Sequence, residues 1–71
     1  MVGMFPTIVG TYSTHEPAQE HAELLRKHDI QALVIPFADG QQWAVVVPVA
    51  QYPQAERLTR AARLTGELRN P

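Results

Sequence analysis

The sequence predicts a single α+β domain, spanning residues 1–71, in which two helices lie on one face of a three-stranded sheet. Three observations indicate this class. β-branched residues cluster in three short runs, apolar residues recur at helical spacing in two longer stretches, and an Asp-Gly pair separates the second run from the third. Together they give the element order β-α-β-β-α.

The first strand is predicted over residues 5–12, and the first helix from residue 13 to about residue 28. Ser13 and Glu16 match the capping-box pattern of a helix start, while Pro17 is tolerated only within the first turn. Thr14 or Glu16 is therefore an alternative cap. At about 100° per residue, one side of this helix is apolar apart from two histidines; it consists of Ala18, His21, Ala22, Leu24, Leu25 and His28.

Residues 30–37 and 41–49 are predicted to form a hairpin around Asp39 and Gly40, a dipeptide that favours two-residue turns. In this register, two residues face each other across the hairpin when their numbers sum to 79. One hairpin face carries Ala32, Val34, Trp43, Val45 and Val47, and the other carries Leu33, Ile35, Phe37, Ala44 and Val46. Both faces are apolar, whereas a sheet with one wet face alternates polar and apolar residues. Two helices cover one face, so the other must be covered by something else or left exposed.

The second helix is predicted to begin near Pro53 and to end near Gly66. Its apolar side is formed by Ala55, Leu58, Ala61, Ala62, Leu64 and Leu68. Residues 67–71 are then a short tail or a fourth strand, which the sequence leaves open. The whole order is the split β-α-β arrangement of a ferredoxin-like fold without its last strand, with strand order 1-3-2. Both outer strands then present unpaired backbone groups.

Composition excludes several classes of function. Six Lys and Arg against seven Asp and Glu give a net charge of -1, which excludes a basic nucleic-acid-binding surface. The absence of cysteine excludes disulfides, thiolate nucleophiles and cysteine-based zinc sites. The longest apolar run, residues 43–49, is far shorter than the ~20 residues that span a bilayer. The N-terminus has neither the basic nor the long apolar region of an export signal, so a cytoplasmic location is expected.

No set of residues has the spacing of a catalytic, metal or cofactor site. His21 and His28 lie on one side of the helix but about 10.5 Å apart along its axis, too far to share a metal ion. Ser13 lacks the setting of a catalytic serine, and the four glycines form no phosphate-binding loop. The chain is therefore predicted not to be an enzyme. Trp43, near the hairpin tip, is either a core residue or an anchor for a ligand or partner.

A strand-and-helix motif stands in the first half of the chain. Residues 8–13 read Ile-Val-Gly-Thr-Tyr-Ser, residues 30–32 read Ile-Gln-Ala, and between them stand the spaced residues Ala18, Ala22 and Leu25. This motif resembles the start of a sporulation-related repeat (SPOR) domain. The resemblance implies a ferredoxin-like fold that binds peptidoglycan glycan strands on its uncovered sheet face. Pro48 stands where that family has glycine, and the family's last strand is missing.

In SPOR geometry the uncovered face consists of Ile8, Leu33, Ile35, Phe37, Ala44 and Val46, a surface that suits protein better than sugar. The same stretch is also similar to a family of prokaryotic signal-transducing proteins of unknown function. That similarity adds residues 45–48 (Val-Val-Val-Pro) and Ala55 to the motif. It implies the same order of strands and helices.

We therefore expect a small non-enzymatic interaction or regulatory module. It would form a homodimer through the apolar sheet face of those six residues or through an open edge strand. Two alternatives stay open: SPOR-like binding of peptidoglycan glycan strands, and a phage- or plasmid-encoded accessory protein that binds and inhibits a host complex. The expected partner is a second copy or another protein, without nucleic acid, membrane, metal or cofactor.

Overall fold

The computed structural model describes residues 6–68 and places three strands and two helices in them. In chain order these are β1 (Pro6–Tyr12), α1 (His15–Lys27), β2 (Leu33–Phe37), β3 (Gln42–Pro48) and α2 (Tyr52–Thr65), and a turn of 3-10 helix, Val49–Gln51, precedes α2. The predicted β-α-β-β-α order is confirmed. Residue 5 of the predicted first strand and residues 69–71 of the tail lie outside the described residues. Within the described part of the tail, Glu67 and Leu68 form no strand.

The three strands form an antiparallel sheet in the predicted order, β1-β3-β2. The hairpin register is also as predicted, because Leu33 faces Val46 and Phe37 faces Gln42. A slip of one residue would move every apolar side chain of a strand to the other sheet face. The register therefore decides which residues lie under the helices and which lie on the opposite side.

The turn between β2 and β3 explains why the register could be predicted. Asp39 and Gly40 have φ angles of 56° and 82°, and the Gln41 N–H donates to the Ala38 carbonyl oxygen at 3.0 Å. A type I′ turn requires positive φ at both central residues, and Asp-Gly meets this requirement at little cost. Ala38, which precedes the pair, also has a positive φ of 55°. The local backbone preference of Asp-Gly favours the observed register without any contact with the helices.

Two element boundaries differ from the prediction. β2 begins at Leu33 rather than at residue 30, because the Ile30 N–H still donates to the Leu25 carbonyl oxygen of α1 at 3.1 Å. The N-cap of α1 is Thr14, and no side chain caps the helix by a hydrogen bond. The capping box that starts at Ser13 is therefore wrong, and the alternative cap is the one observed.

The end of α2 follows the glycine prediction. Gly66 lies in the left-handed region at φ 83° and forms the C-cap. The chain then folds back, so that the Leu68 N–H donates to the Ala62 carbonyl oxygen at 3.1 Å. A glycine in the left-handed region is a usual way for a helix to end. The reversal buries Leu68, which closes the end of α2 with an apolar contact.

The helices cover the sheet face that carries Val34, Trp43, Val45 and Val47, which answers the question that the sequence left open. The core between the two layers is built from Tyr12, Ala18, Ala22, Leu25, Ile30, Ala32, Val45, Val47 and Ala55. Alanines on both helices let the helix backbones lie close to the valines of β3. The core is thin as a result, since few large side chains contribute to it.

A β-bulge in β1 sets the direction of its side chains. Ile8 and Gly10 face consecutive residues of β3, so Val9 is an extra residue without a partner. Side chains alternate between the two faces of a strand, and one extra residue reverses the alternation. Ile8 therefore points away from the helices. Tyr12, four residues later, points toward the helices and is buried.

Candidate functional site

The sheet face opposite the helices carries all six residues that the sequence assigned to an interface. These residues, hereafter the open face, are Ile8, Leu33, Ile35, Phe37, Ala44 and Val46. Val46 of the central strand lies between Ile8 and Leu33 in one row across the sheet. The same side also carries Thr11 and Gln42, which are polar but uncharged. Among residues 6–68, the strands place no charged side chain on this face.

The edge strands supply most of the accessible surface of the open face. Leu33 is 62% exposed, Phe37 is 41% exposed and Ile8 is 39% exposed. Ala44 and Val46 lie in the floor between them and are 0% and 3% exposed. A partner would therefore contact mainly the side chains of β1 and β2, with β3 as a flat base.

The free edges of the sheet are poor sites for adding another strand. Proline has no N–H to donate, and natural proteins place it on edge strands, where it blocks pairing with other chains. β2 contains Pro36, and β1 contains Pro6 together with the bulge at Val9. These features favour the open face over an edge strand as the surface for a partner.

Trp43 lies on the helix-covered face and is not part of the open face. It packs half-buried against the core, and its ring meets His15 edge-on with ring centroids 4.7 Å apart. It faces Tyr12 on β1 and Pro36 on β2. Its role as a partner anchor stays a prediction, and any such contact would come from the helix side.

A groove with a volume of about 710 Å³ continues the open face at the end of the sheet where β2 begins. This end groove is lined by Pro6, Arg26, Asp29, Ile30, Gln31, Ala32, Leu33, Val46, Val47 and Pro48. Its rim is held by hydrogen bonds. The Arg26 Nε–H donates to the Ala32 carbonyl oxygen at 3.0 Å, and the Gln51 side chain accepts from the Gln31 N–H at 2.9 Å. These hydrogen bonds hold the groove in place in the isolated chain, without contact with a partner.

A hydrogen-bonded polar cluster lies inside the fold, where the sequence predicted nothing. It consists of Tyr12, His21, Thr59 and Arg63. The Tyr12 hydroxyl lies 2.9 Å from His21 Nδ1, and His21 Nε2 lies 2.7 Å from Thr59 Oγ1. Arg63 Nη2 donates to the Tyr12 hydroxyl at 3.1 Å. The cluster thereby joins β1, α1 and α2.

Arg63 can only donate, so the Tyr12 oxygen accepts from it. The donor and acceptor roles of the two His21 nitrogens depend on the tautomer of the imidazole. A neutral imidazole that accepts the Tyr12 hydrogen at Nδ1 and donates its Nε2–H to Thr59 Oγ1 gives Tyr12, His21 and Thr59 a partner for each of these contacts.

The surroundings of His21 stabilise this neutral form. The side chain is fully buried, and burial disfavours a charged imidazolium. The Arg63 guanidinium acts in the same direction because it is a like charge. Burial first, and Arg63 second, lower the pKa of His21 from 6.5 to about 4.

Gly10 makes room for the cluster. A Cβ atom at this position would lie 3.1 Å from His21 Cε1 and 3.2 Å from His21 Nδ1. The imidazole cannot move away freely, since both of its nitrogens are hydrogen-bonded. The absence of a side chain at Gly10 thus permits the close packing of α1 against the bulged part of β1.

We expect Gly10→Ala to lower the free energy of unfolding by about 1–3 kcal/mol, which is the usual cost of overpacking. Urea denaturation followed by circular dichroism measures it. The same substitution made in a His21→Ala background is the control, because the ring that Cβ would meet is then absent. An equal loss in both backgrounds would contradict the proposed clash.

Arg63 also lines a second, more polar cleft of about 370 Å³ beside α2. Its Nε atom is buried and has no hydrogen-bond partner among the described residues. The nearby Arg60 is paired with Glu56 at 2.6 Å in an exposed ion pair, a type that contributes little to stability. Thr59 lines the same cleft, so the polar cluster reaches the surface through both residues that α2 contributes to it. The clearest role of the cluster is to hold the three elements together.

Among residues 6–68, no three His, Asp or Glu side chains lie close enough together to bind a metal ion. In that same part of the chain, no helix is long and apolar enough to cross a membrane. No family model matches the chain, and no curated protein shows significant similarity to it. The resemblances to SPOR domains and to prokaryotic signal-transducing proteins therefore stay predictions.

Proposed function

We propose that this chain is a small non-enzymatic interaction module whose open face binds a second copy of the chain. The observation that carries the proposal is the exposure of Leu33, Phe37 and Ile8 together on a sheet face that the helices do not cover. Contiguous apolar surface of this kind marks interaction sites on small proteins. Its removal from water is favourable by roughly 25 cal/mol per Å².

The thinness of the fold supports the same proposal. The shortest dimension of the Cα trace is 15 Å, as expected for one sheet with helices on one side only. Sheets in two-layer proteins pack face to face at about 10 Å. Two open faces stacked in this way would give each sheet an apolar layer on both sides, and each chain a larger shared core.

A second copy is favoured over a differently charged partner because the open face carries no charge that would select one. Identical surfaces meet in a two-fold dimer, so like charges on an interface would face each other and repel. The open face avoids this repulsion. The net charge of -1 for the whole chain also opposes self-association only slightly.

We expect the wild-type chain to be a dimer and Leu33→Lys to be a folded monomer. Leu33 is mostly exposed in the isolated chain, so a lysine costs little there but would be buried in the dimer. Val46 is less suitable because it is buried within the sheet itself. Light scattering and sedimentation over a concentration series measure the oligomeric state, and circular dichroism checks the fold.

Leu64→Lys is the matched control for this experiment. Leu64 is 84% exposed on α2 and lies away from the open face, so the same substitution there leaves the dimer intact. A wild-type chain that stays monomeric at its highest soluble concentration would overturn the proposal. Retention of that monomer on denuded peptidoglycan would support SPOR-like glycan binding in its place.

A further inference from the structure

We infer that the two copies pack antiparallel, with Phe37 of each copy inserted into the end groove of the other. This inference rests on the proposed function and specifies its geometry. It starts from two complementary features at opposite ends of β2. An exposed aromatic side chain stands at the hairpin end, and an unfilled apolar groove lies at the beginning of the strand.

The spacing of β2 permits the insertion. Leu33, Ile35 and Phe37 all point to the open face, and Phe37 lies about 13 Å from Leu33 at the usual rise per strand residue. A two-fold axis that lies in the interface and crosses β2 at Ile35 brings each Phe37 over the Leu33 of the other copy. Leu33 lines the end groove. The same operation therefore places the Phe37 ring of each copy in the end groove of the other copy.

Surface area favours this arrangement over contact between flat sheets alone. Three strands spaced by about 4.8 Å, with about 20 Å of length, form a face of only about 300 Å². A stable interface buries at least about 500 Å² on each partner. Insertion of Phe37 adds the ring and the walls of the end groove to the buried area. An aromatic side chain in a pocket is also the usual form of an energetic hot spot.

Charge does not oppose the antiparallel orientation. The hairpin tip carries Asp39, which is exposed. The charged residues that line the end groove are Arg26 and Asp29, whose charges balance. The negative tip of one copy therefore meets no net charge of like sign at the groove of the other.

Single cysteines test the geometry directly, because the chain has none of its own. Thr11 and Ile35 face Ala44 from the two edge strands and so lie in one row. The proposed axis runs along this row. Thr11→Cys and Ile35→Cys should each form cross-linked dimers with a short bis-maleimide reagent. A mixture of the two variants should give no link between the unlike cysteines.

The alternative arrangement gives the opposite pattern. A two-fold axis parallel to the strands would place β1 over β2, so only the mixed pair would be linked. That result, or equal linking in every combination, overturns the inference while the dimer itself stands. The absence of any link, with monomers in light scattering, overturns the proposed function instead.

Phe37→Ala tests the insertion independently of the cross-links. We expect the dimer dissociation constant to rise at least tenfold, since each dimer loses two aromatic anchors. Leu64→Ala is the control and leaves this constant unchanged. A dimer of unchanged affinity in Phe37→Ala would overturn the insertion even if the antiparallel cross-links form.

Discussion

Lowering the pH from 7 to 4 should remove about 3 kcal/mol from the free energy of unfolding through His21 alone. In the fold, the pKa of His21 is lowered from 6.5 to about 4, first by burial and then by Arg63. The unfolded chain therefore binds one more proton than the fold between these two pH values. The stabilising contribution is complete well above pH 6.5, is lost as the pH falls from 6.5 through 4, and levels off once the pH is well below 4.

This loss is large for a chain of 71 residues, whose total stability is expected to be only about 4–11 kcal/mol. Urea denaturation at a series of pH values measures the dependence. His28→Gln is the control, because it makes the same replacement at an exposed position at the end of α1, outside the polar cluster. His21→Gln should lose the slope between pH 6.5 and 4. A wild-type slope in His21→Gln would show that other groups cause the dependence.

The predicted part of the fold depends on interactions between residues close in sequence. The Asp39-Gly40 turn determines the hairpin register, because it requires a backbone that few dipeptides adopt. The left-handed Gly66 ends α2 for the same local reason. Once the hairpin and the two amphipathic helices are given, the strand order has few alternatives. These features could be predicted without knowledge of any distant contact.

The bulge in β1 could have been suspected but was not predicted. An isolated glycine in a strand pattern indicates a bulge or a close approach of another group, and Gly10 combines both. Without the extra residue, Ile8 and Tyr12 would share a face. The prediction placed Ile8 correctly on the open face but assigned no position to the Tyr12 hydroxyl.

The polar cluster could not be predicted from the sequence. His21 meets Thr59 across 38 residues of chain, and Arg63 meets Tyr12 across 51. Each of these residues looks ordinary within its own element. A histidine and a threonine on otherwise apolar helix sides are the available signal, since buried polar groups need partners. The sequence does not say which partners they find.

The cluster and the open face lie on opposite sides of one strand, and this bears on the proposed dimer. Tyr12 anchors the helix side of β1 to α1 and α2, while Ile8 of the same strand contributes to the open face. The bulge at Val9 makes both directions possible. The cluster thus keeps β1, an edge strand, in the position that the proposed interface requires.

Leu25→Ala should destabilise the fold by about 3 kcal/mol, within the range for buried leucines. Leu25 is completely buried between α1 and the sheet, and the alanines around it cannot fill the cavity. Thermal and urea denaturation measure the loss. Leu64→Ala removes the same atoms from a side chain that is 84% exposed, so it controls for the change of residue type and should cost little.

The Leu25→Ala variant also tests the proposed dimer, because Leu25 lies on the helix side of the sheet and not on the open face. Leu25→Ala leaves the open face intact, so association should still stabilise its folded form by mass action. The unfolding temperature of this variant should therefore rise with protein concentration, as it should for the wild-type chain. In the Leu25→Ala, Leu33→Lys double variant this rise should disappear, because folding no longer benefits from a second copy. A rise that persists in the double variant would mean that the copies associate through another surface.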